Sequence, residues 1–297
     1  MGTSNAYGGS DGDKPLVPSW LPDGGIPQPL PAPTPAQPPV STIDGPVTGL
    51  PPPIPIPSLP PMPPPGDPVR FKAARNNFSR FAASGGLDRT SLGRAASHYV
   101  ATSTGGSRTA ARRMGSSRQA GARLVSFLTS AVVNGPGKAL RALRLENLVG
   151  RPVEEVFIGM IDYVCPEGGT IDDGIAREAF IETIADLAES GITNFDALTV
   201  DQLKVIFELY ATHAIEARLC NDIGAQALAL PANVADALNV QKQLFDFVRR
   251  SVSDALTNAL ARIQALTPAS VTGFVTRVYE QAFAILESMG EAEASAE

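Results

Sequence analysis

From Val69 onward the apolar residues recur at steps of three and four, the spacing of one face of an α-helix. Phe71, Ala74, Phe78 and Phe81 predict a first helix, ended by Gly85-Gly86. Leu92, Ala95, Ala96, Tyr99 and Val100 predict a second, closed by Gly105-Gly106. A third is expected from a Ser107 cap through Leu124, Phe127, Leu128 and Ala131 to Asn134-Gly135. Gly115 and Gly121 weaken or kink it, at about 1 kcal/mol each relative to alanine.

The second half is more regular. Pro152 fits the first turn of a helix carrying Val156, Ile158, Ile161 and Val164. Thr170-Ile171-Asp172-Asp173 is a capping-box variant that opens a helix with Phe180, Ile181, Ile184, Leu187 and Ala188 on one face. Thr199-Val200-Asp201-Gln202 is a second capping box. The helix behind it is apolar over much of its circumference, with Leu203, Ile206, Phe207, Leu209, Tyr210, Ile215 and Leu219, which predicts burial between others. After Pro231, residues 232–266 keep the helical period without a breaker, and that length suggests a spine helix or an inter-chain seam. Thr267-Pro268 reads as an N-cap and N1 proline for a last helix through Phe274, Val275, Val278, Tyr279, Ala282, Ile285 and Leu286. Residues 290–297 are expected to fray. No run alternates as a strand would, so the expected class is an all-α, multi-helix domain.

Upstream there is no such period. Residues 1–68 hold twenty-two of the 27 prolines. Proline fixes φ and lacks the backbone N–H, so this stretch is expected to form a long disordered tail, with residues 51–65 in polyproline II. It is either a spacer or a PxxP-type ligand for an aromatic groove. Charge divides the chain at the same place: residues 1–68 carry −4, residues 69–145 carry +13 and residues 146–297 carry −15, which the net −6 conceals. The expected organisation is a tail (1–68), a basic helical segment (69–145), an acidic helical core (146–290) and a disordered end (291–297).

Little in the chain points to catalysis. There is no HExxH, GxSxG or GxxxxGK[ST] motif. His213 and Glu216 read as a surface pair, and no metal site or cofactor is expected. Cys165 and Cys220 read as reduced, packed thiols of a cytoplasmic protein. Asp162, Asp172, Asp173 and Asp222 are accounted for by helix capping and solvation. No eighteen-residue apolar run is present, so no membrane-spanning helix is expected, and the N-terminus lacks the basic and apolar regions of a secretory signal.

The strongest chemical signal is arginine. Arg108 and Arg112 share a helix face, Arg113 lies beside them, and Arg118 and Arg123 continue the charge. Guanidinium forks favour bidentate contact with phosphate or carboxylate. These residues therefore bind nucleic acid through its backbone, or dock on acidic protein surface, either this chain's own acidic half or that of a second copy in a homo-oligomer.

Seven stretches stand out together: Met1-Gly2-Thr3-Ser4, Tyr7-Gly8-Gly9, Pro15-Leu16-Val17-Pro18, residues 105–115 (GGSRTAARRMG), 145–152 (LENLVGRP), 165–172 (CPEGGTID) and 216–224 (EARLCNDIG). In them the chain resembles the QatB family of the bacterial Qat anti-phage defence system. The resemblance implies partners: an ATPase (QatA), a QueC-like enzyme of 7-deazaguanine chemistry (QatC) and a TatD-like nuclease (QatD). It also implies that the QueC-like enzyme attaches a deazapurine to a protein N-terminus. Gly2, exposed once the initiator methionine is removed, is then the expected modified residue, with Thr3, Ser4, Tyr7, Gly8 and Gly9 as the recognition motif. The expected function is a non-enzymatic defence component that binds partner proteins and presents Gly2. The alternative is a nucleic-acid-binding sensor or adaptor acting through the arginines.

Overall fold

The computed structural model describes residues 69–192, 194–224, 231–259 and 268–295. The expected tail, the Thr267 cap and the stretch 260–266 of the expected spine helix lie outside these residues. Among the described residues there is no β-strand, only a single bridge between Pro152 and Asn194. The protein is all-α, as its periodicity predicts.

The helices are α1 (Lys72–Ala83), α2 (Arg89–His98), α3 (Ser107–Arg113), α4 (Gly115–Asn134), α5 (Pro136–Ala142), α6 (Val153–Gly159), α7 (Ile161–Val164), α8 (Ile171–Glu189), α9 (Val200–Ile223), α10 (Val234–Ala259) and α11 (Pro268–Ala294). Both predicted capping boxes form, Thr170 with Asp173 at α8 and Thr199 with Gln202 at α9, and each satisfies two otherwise orphaned backbone donors. Gly85 and Gly86, at φ 66° and 84°, turn the chain from α1 into α2.

Four local expectations change. The predicted third helix is two, α3 and α4, broken at Met114 (φ −86°, ψ 35°). Ser107 is the first residue of α3 rather than its cap; that place belongs to Gly106 at φ 95°. The helix after Pro152 is likewise interrupted at Met160, whose buried side chain joins Val153, Val156, Phe157 and Val164 in the core, while Ile158 faces solvent. Finally, α11 continues through residues 290–294, where fraying was expected.

The core is one continuous cluster that takes residues from α1 through α11. Helix α11 packs against α2, α3, α4 and α10, and α4 packs against α8 and α9. The basic and acidic segments therefore share a core. Tyr99, Phe157, Phe180, Phe207, Tyr210, Phe274, Tyr279 and Phe283 are among its large, fully buried side chains. Burying such rings is worth roughly 2–3 kcal/mol each before entropy is set against it. The first described residue of this helical body is Val69.

Candidate functional site

Asp222, near the end of α9, is the centre of a polar network. Its carboxylate accepts a hydrogen bond from the Tyr99 hydroxyl at 2.9 Å and pairs with Arg113 at 3.3 Å and Arg218 at 3.2 Å. Arg218 also binds Asp172 in the first turn of α8. The side chains of Asp222 and Arg218 are only 6 % and 10 % exposed, so these are largely desolvated charges held by mutual pairing. Burial alone would lower the Arg218 pKa; Asp222, then Tyr99 and Asp172, outweigh it and hold the guanidinium above its ordinary value. Burial, then Asp222, push the Tyr99 hydroxyl up, so it stays a donor.

The root of the N-terminal segment is clamped onto this network. Phe71 stacks on Tyr99 with centroids 5.8 Å apart, and the guanidinium of Arg113 lies 5.8 Å from the Phe71 ring centre. Arg70 donates from Nε to the Ser103 carbonyl, in the single π turn Tyr99–Ser103 that follows α2, and sits over the same ring at 5.4 Å. Arg75 donates to the Ile223 carbonyl at 2.7 Å. Burial, and after it the neighbouring Arg113, lower the pKa of Arg70, against the opposing pull of Asp222.

The five arginines singled out by sequence divide into two sets. Arg113 belongs to the network. Arg118 donates to the Thr276 hydroxyl at 3.3 Å and to the Arg112 carbonyl at 3.4 Å, and Arg123 donates to the Val164 carbonyl at 3.0 Å. These three are spent on the chain's own structure. Arg108 and Arg112 are exposed on α3; Arg112 reaches only the Thr109 hydroxyl, at 3.5 Å. Gly2, Thr3, Ser4, Tyr7, Gly8 and Gly9 lie outside the described residues.

A second concave feature is a cleft of about 410 Å³ between α8, α9 and α10, lined by Glu178, Glu182, Asp186, His213, Glu216 and Cys220 among others. His213 and Glu216 are not the surface pair expected from their spacing. Their side chains are 12 % and 19 % exposed; His213 lies 2.8 Å from Asp186, 3.9 Å from Glu216 and against the Phe245 ring. Burial, then the carboxylates of Glu182, Asp186 and Glu178, raise Glu216 to about 7. No group of three or more ligating side chains suited to a metal occurs among the described residues. Cys165 and Cys220 are free, and burial pushes each thiol up to about 12, so neither is an activated nucleophile.

The aspartates read as caps and solvated charges do other work in part. Asp173 caps α8 and Asp162 pairs with Arg177 at 3.0 Å, but Asp172 and Asp222 build the network. Arg218 and Asp222 stand four apart on one helix, a visible signal; Arg70, Phe71 and Tyr99 gave none.

Three of the stretches that carry the family resemblance meet at this network: 105–115 through Arg113, 165–172 through Asp172 and 216–224 through Arg218 and Asp222. A profile of the family described as Qat anti-phage system associated protein QatB matches residues 105–286, more than half of the chain. The chain belongs to the QatB family. Comparison with curated proteins and with solved structures gives no match. As a member of the QatB family the chain is a component of the Qat anti-phage system. The QatB match includes Arg113, Asp172, Arg218 and Asp222, and leaves Arg70, Phe71, Tyr99 and the Gly2 motif upstream of it. Among the described residues no helix is long and apolar enough to cross a membrane.

Proposed function

We propose that this QatB-family protein is a non-catalytic member of the Qat system, a helical body that binds partner proteins and presents Gly2 for modification by the QueC-like 7-deazaguanine enzyme. The observation that carries this reading is the clamp: Arg70 and Phe71 hold the root of the N-terminal segment against the network built from the family's own stretches. A body that fixes where a long segment departs is suited to displaying its far end. Gly2 adds the chemistry, since a glycine amine has no side chain to obstruct its attack on an activated carboxyl or nitrile carbon.

Thr3, Ser4, Tyr7, Gly8 and Gly9 are the recognition motif in this reading, and QatA and QatD are further partners. Intact-mass measurement after co-expression with the other Qat proteins tests it. The N-terminal peptide should carry added mass beyond methionine loss, and only when the QueC-like enzyme is present. Methionine loss alone, with or without that enzyme, would reject the reading.

A further inference from the structure

Helix α3 does two jobs on two faces. Inward, Arg113 bridges Asp222 and the Phe71 ring, so it belongs to the clamp. Outward, Arg108 and Arg112 stand exposed one turn apart, and among the described residues no carboxylate lies within ion-pair distance of either. Residues 107–118 contain four arginines and no acid. The carboxylate that reaches in, Asp222, is already shared by Arg113, Arg218 and Tyr99. Positive charge is thus left over on α3, whose Arg113 lies against Phe71 at the start of the described body.

We infer that the solvent face of α3, with Arg108 and Arg112, is the docking surface for a carboxylate-rich face of the enzyme that takes up the N-terminal segment. This rests on the proposed function and adds the surface on which the partner sits. Covalent geometry supplies the reason for a dock at this spot. Between Gly2 and Pro68 the chain can span at most on the order of 200 Å. An enzyme meeting Gly2 from bulk solution gains nothing from the body. An enzyme held at the root receives Gly2 as a tethered substrate, at an effective concentration set by the linker.

The surface fits carboxylates better than a nucleic-acid backbone. Two outward guanidiniums are few for a stripe that must neutralise many phosphates. The nearby rings, Phe71 and Tyr99, are stacked on each other and not offered to bases. Two arginine forks one turn apart are enough to pair bidentately with a small group of carboxylates.

The test uses the full-length chain, the purified QueC-like enzyme and the double variant Arg108→Glu/Arg112→Glu. Both side chains are exposed, so the variant should melt like the wild type. Affinity of each chain for the enzyme is measured at low and high salt, alongside the rate at which the N-terminal peptide gains mass. The expected result is salt-sensitive binding that the variant weakens by about tenfold or more, and modification slowed in proportion. Equal affinity of variant and wild type overturns the docking surface whatever happens to Gly2. Loss of variant binding without modification of either chain upholds the surface and rejects the function it rests on. If the variant binds the enzyme normally but loses affinity for a DNA duplex, the face reads nucleic acid and the inference fails.

Discussion

Gly93 and Gly290 put the backbones of α2 and α11 in direct contact. A Cβ built on Gly290 would lie 2.5 Å from the Gly93 carbonyl oxygen, and one on Gly93 would lie 2.8 Å from the Gly290 carbonyl oxygen. Neither oxygen can swing aside as the end of a side chain can. Replacing either glycine by alanine gains about 1 kcal/mol of helix propensity, yet overpacking against backbone costs about 1–3 kcal/mol. The cost should win. Gly290→Ala and Gly93→Ala are each expected to lower the urea midpoint at unchanged slope. Gly273→Ala is the control: it sits in α11 with only the Arg277 guanidinium near, at 3.9 Å, and should be neutral or slightly stabilising.

Asp222 should be the most costly single position in the polar network. Asp222→Ala leaves Arg113, a largely buried Arg218 and the Tyr99 hydroxyl without their shared acceptor. Breaking a buried pair in this way costs about 3–5 kcal/mol. Tyr99→Phe removes one hydrogen bond to a charged acceptor and keeps the ring stacked on Phe71, so about 1.5–3 kcal/mol is expected. A double-mutant cycle on the two should show coupling above 0.5 kcal/mol. Additive losses would mean that the hydroxyl and the carboxylate do not act together.

The elements that could be read from the chain are those fixed by neighbours in sequence. Thr170 with Asp173 and Thr199 with Gln202 cap their helices through contacts three residues apart, and both were legible. The break at Met114 was legible only as a weak point at the adjacent Gly115, because the Met114 side chain is buried like those of the helices on either side and the apolar period runs through it. Residues 290–294 read as a fraying end from their small and acidic composition; helix there depends on α2, nearly 200 residues earlier in the chain, which no local window sees. The candidate site follows the same rule. Arginine enrichment announced a basic stretch, but the bonds that sort Arg113 of α3 and Arg118 of α4 join residues 109 and 158 positions apart. Tyr99 meets Asp222 across 123 positions.

The thiols provide a check on packing. Burial, which dominates the rise of both Cys165 and Cys220 to about 12, cuts the thiolate fraction at neutral pH roughly a thousandfold relative to a pKa near 9. Cys165 also donates its S–H to the Ala176 carbonyl at 3.3 Å. The buried Cys165 thiol is expected to react with iodoacetamide only as fast as the protein opens, the half-buried Cys220 at the cleft more slowly than a free cysteine, and both at an ordinary rate in denaturant. A thiol labelled in the native protein at the free-cysteine rate would show that its helix packing is wrong.

Stability should fall as pH rises through the acidic range, because of Glu216. Its carboxyl is shielded within the cleft and faces Glu178, Glu182 and Asp186 from α8, His213 and Cys220 from its own helix and Lys242 from α10. The folded protein therefore holds the Glu216 proton up to about pH 7, whereas the unfolded chain releases it near its ordinary value of 4.5. Between those two values the native state binds more protons, so the slope of unfolding free energy against pH is negative in that window. Below it the group is neutral in both states and contributes no slope; above it the penalty is constant, on the order of 3 kcal/mol. Glu216→Gln mimics the protonated carboxyl at every pH. The variant should match the wild type near pH 4.5 and exceed it above pH 7, with the gap opening between. Parallel stability curves for the two proteins across that window would show that Glu216 is ionised in the fold and that the cleft is wetter than its walls imply.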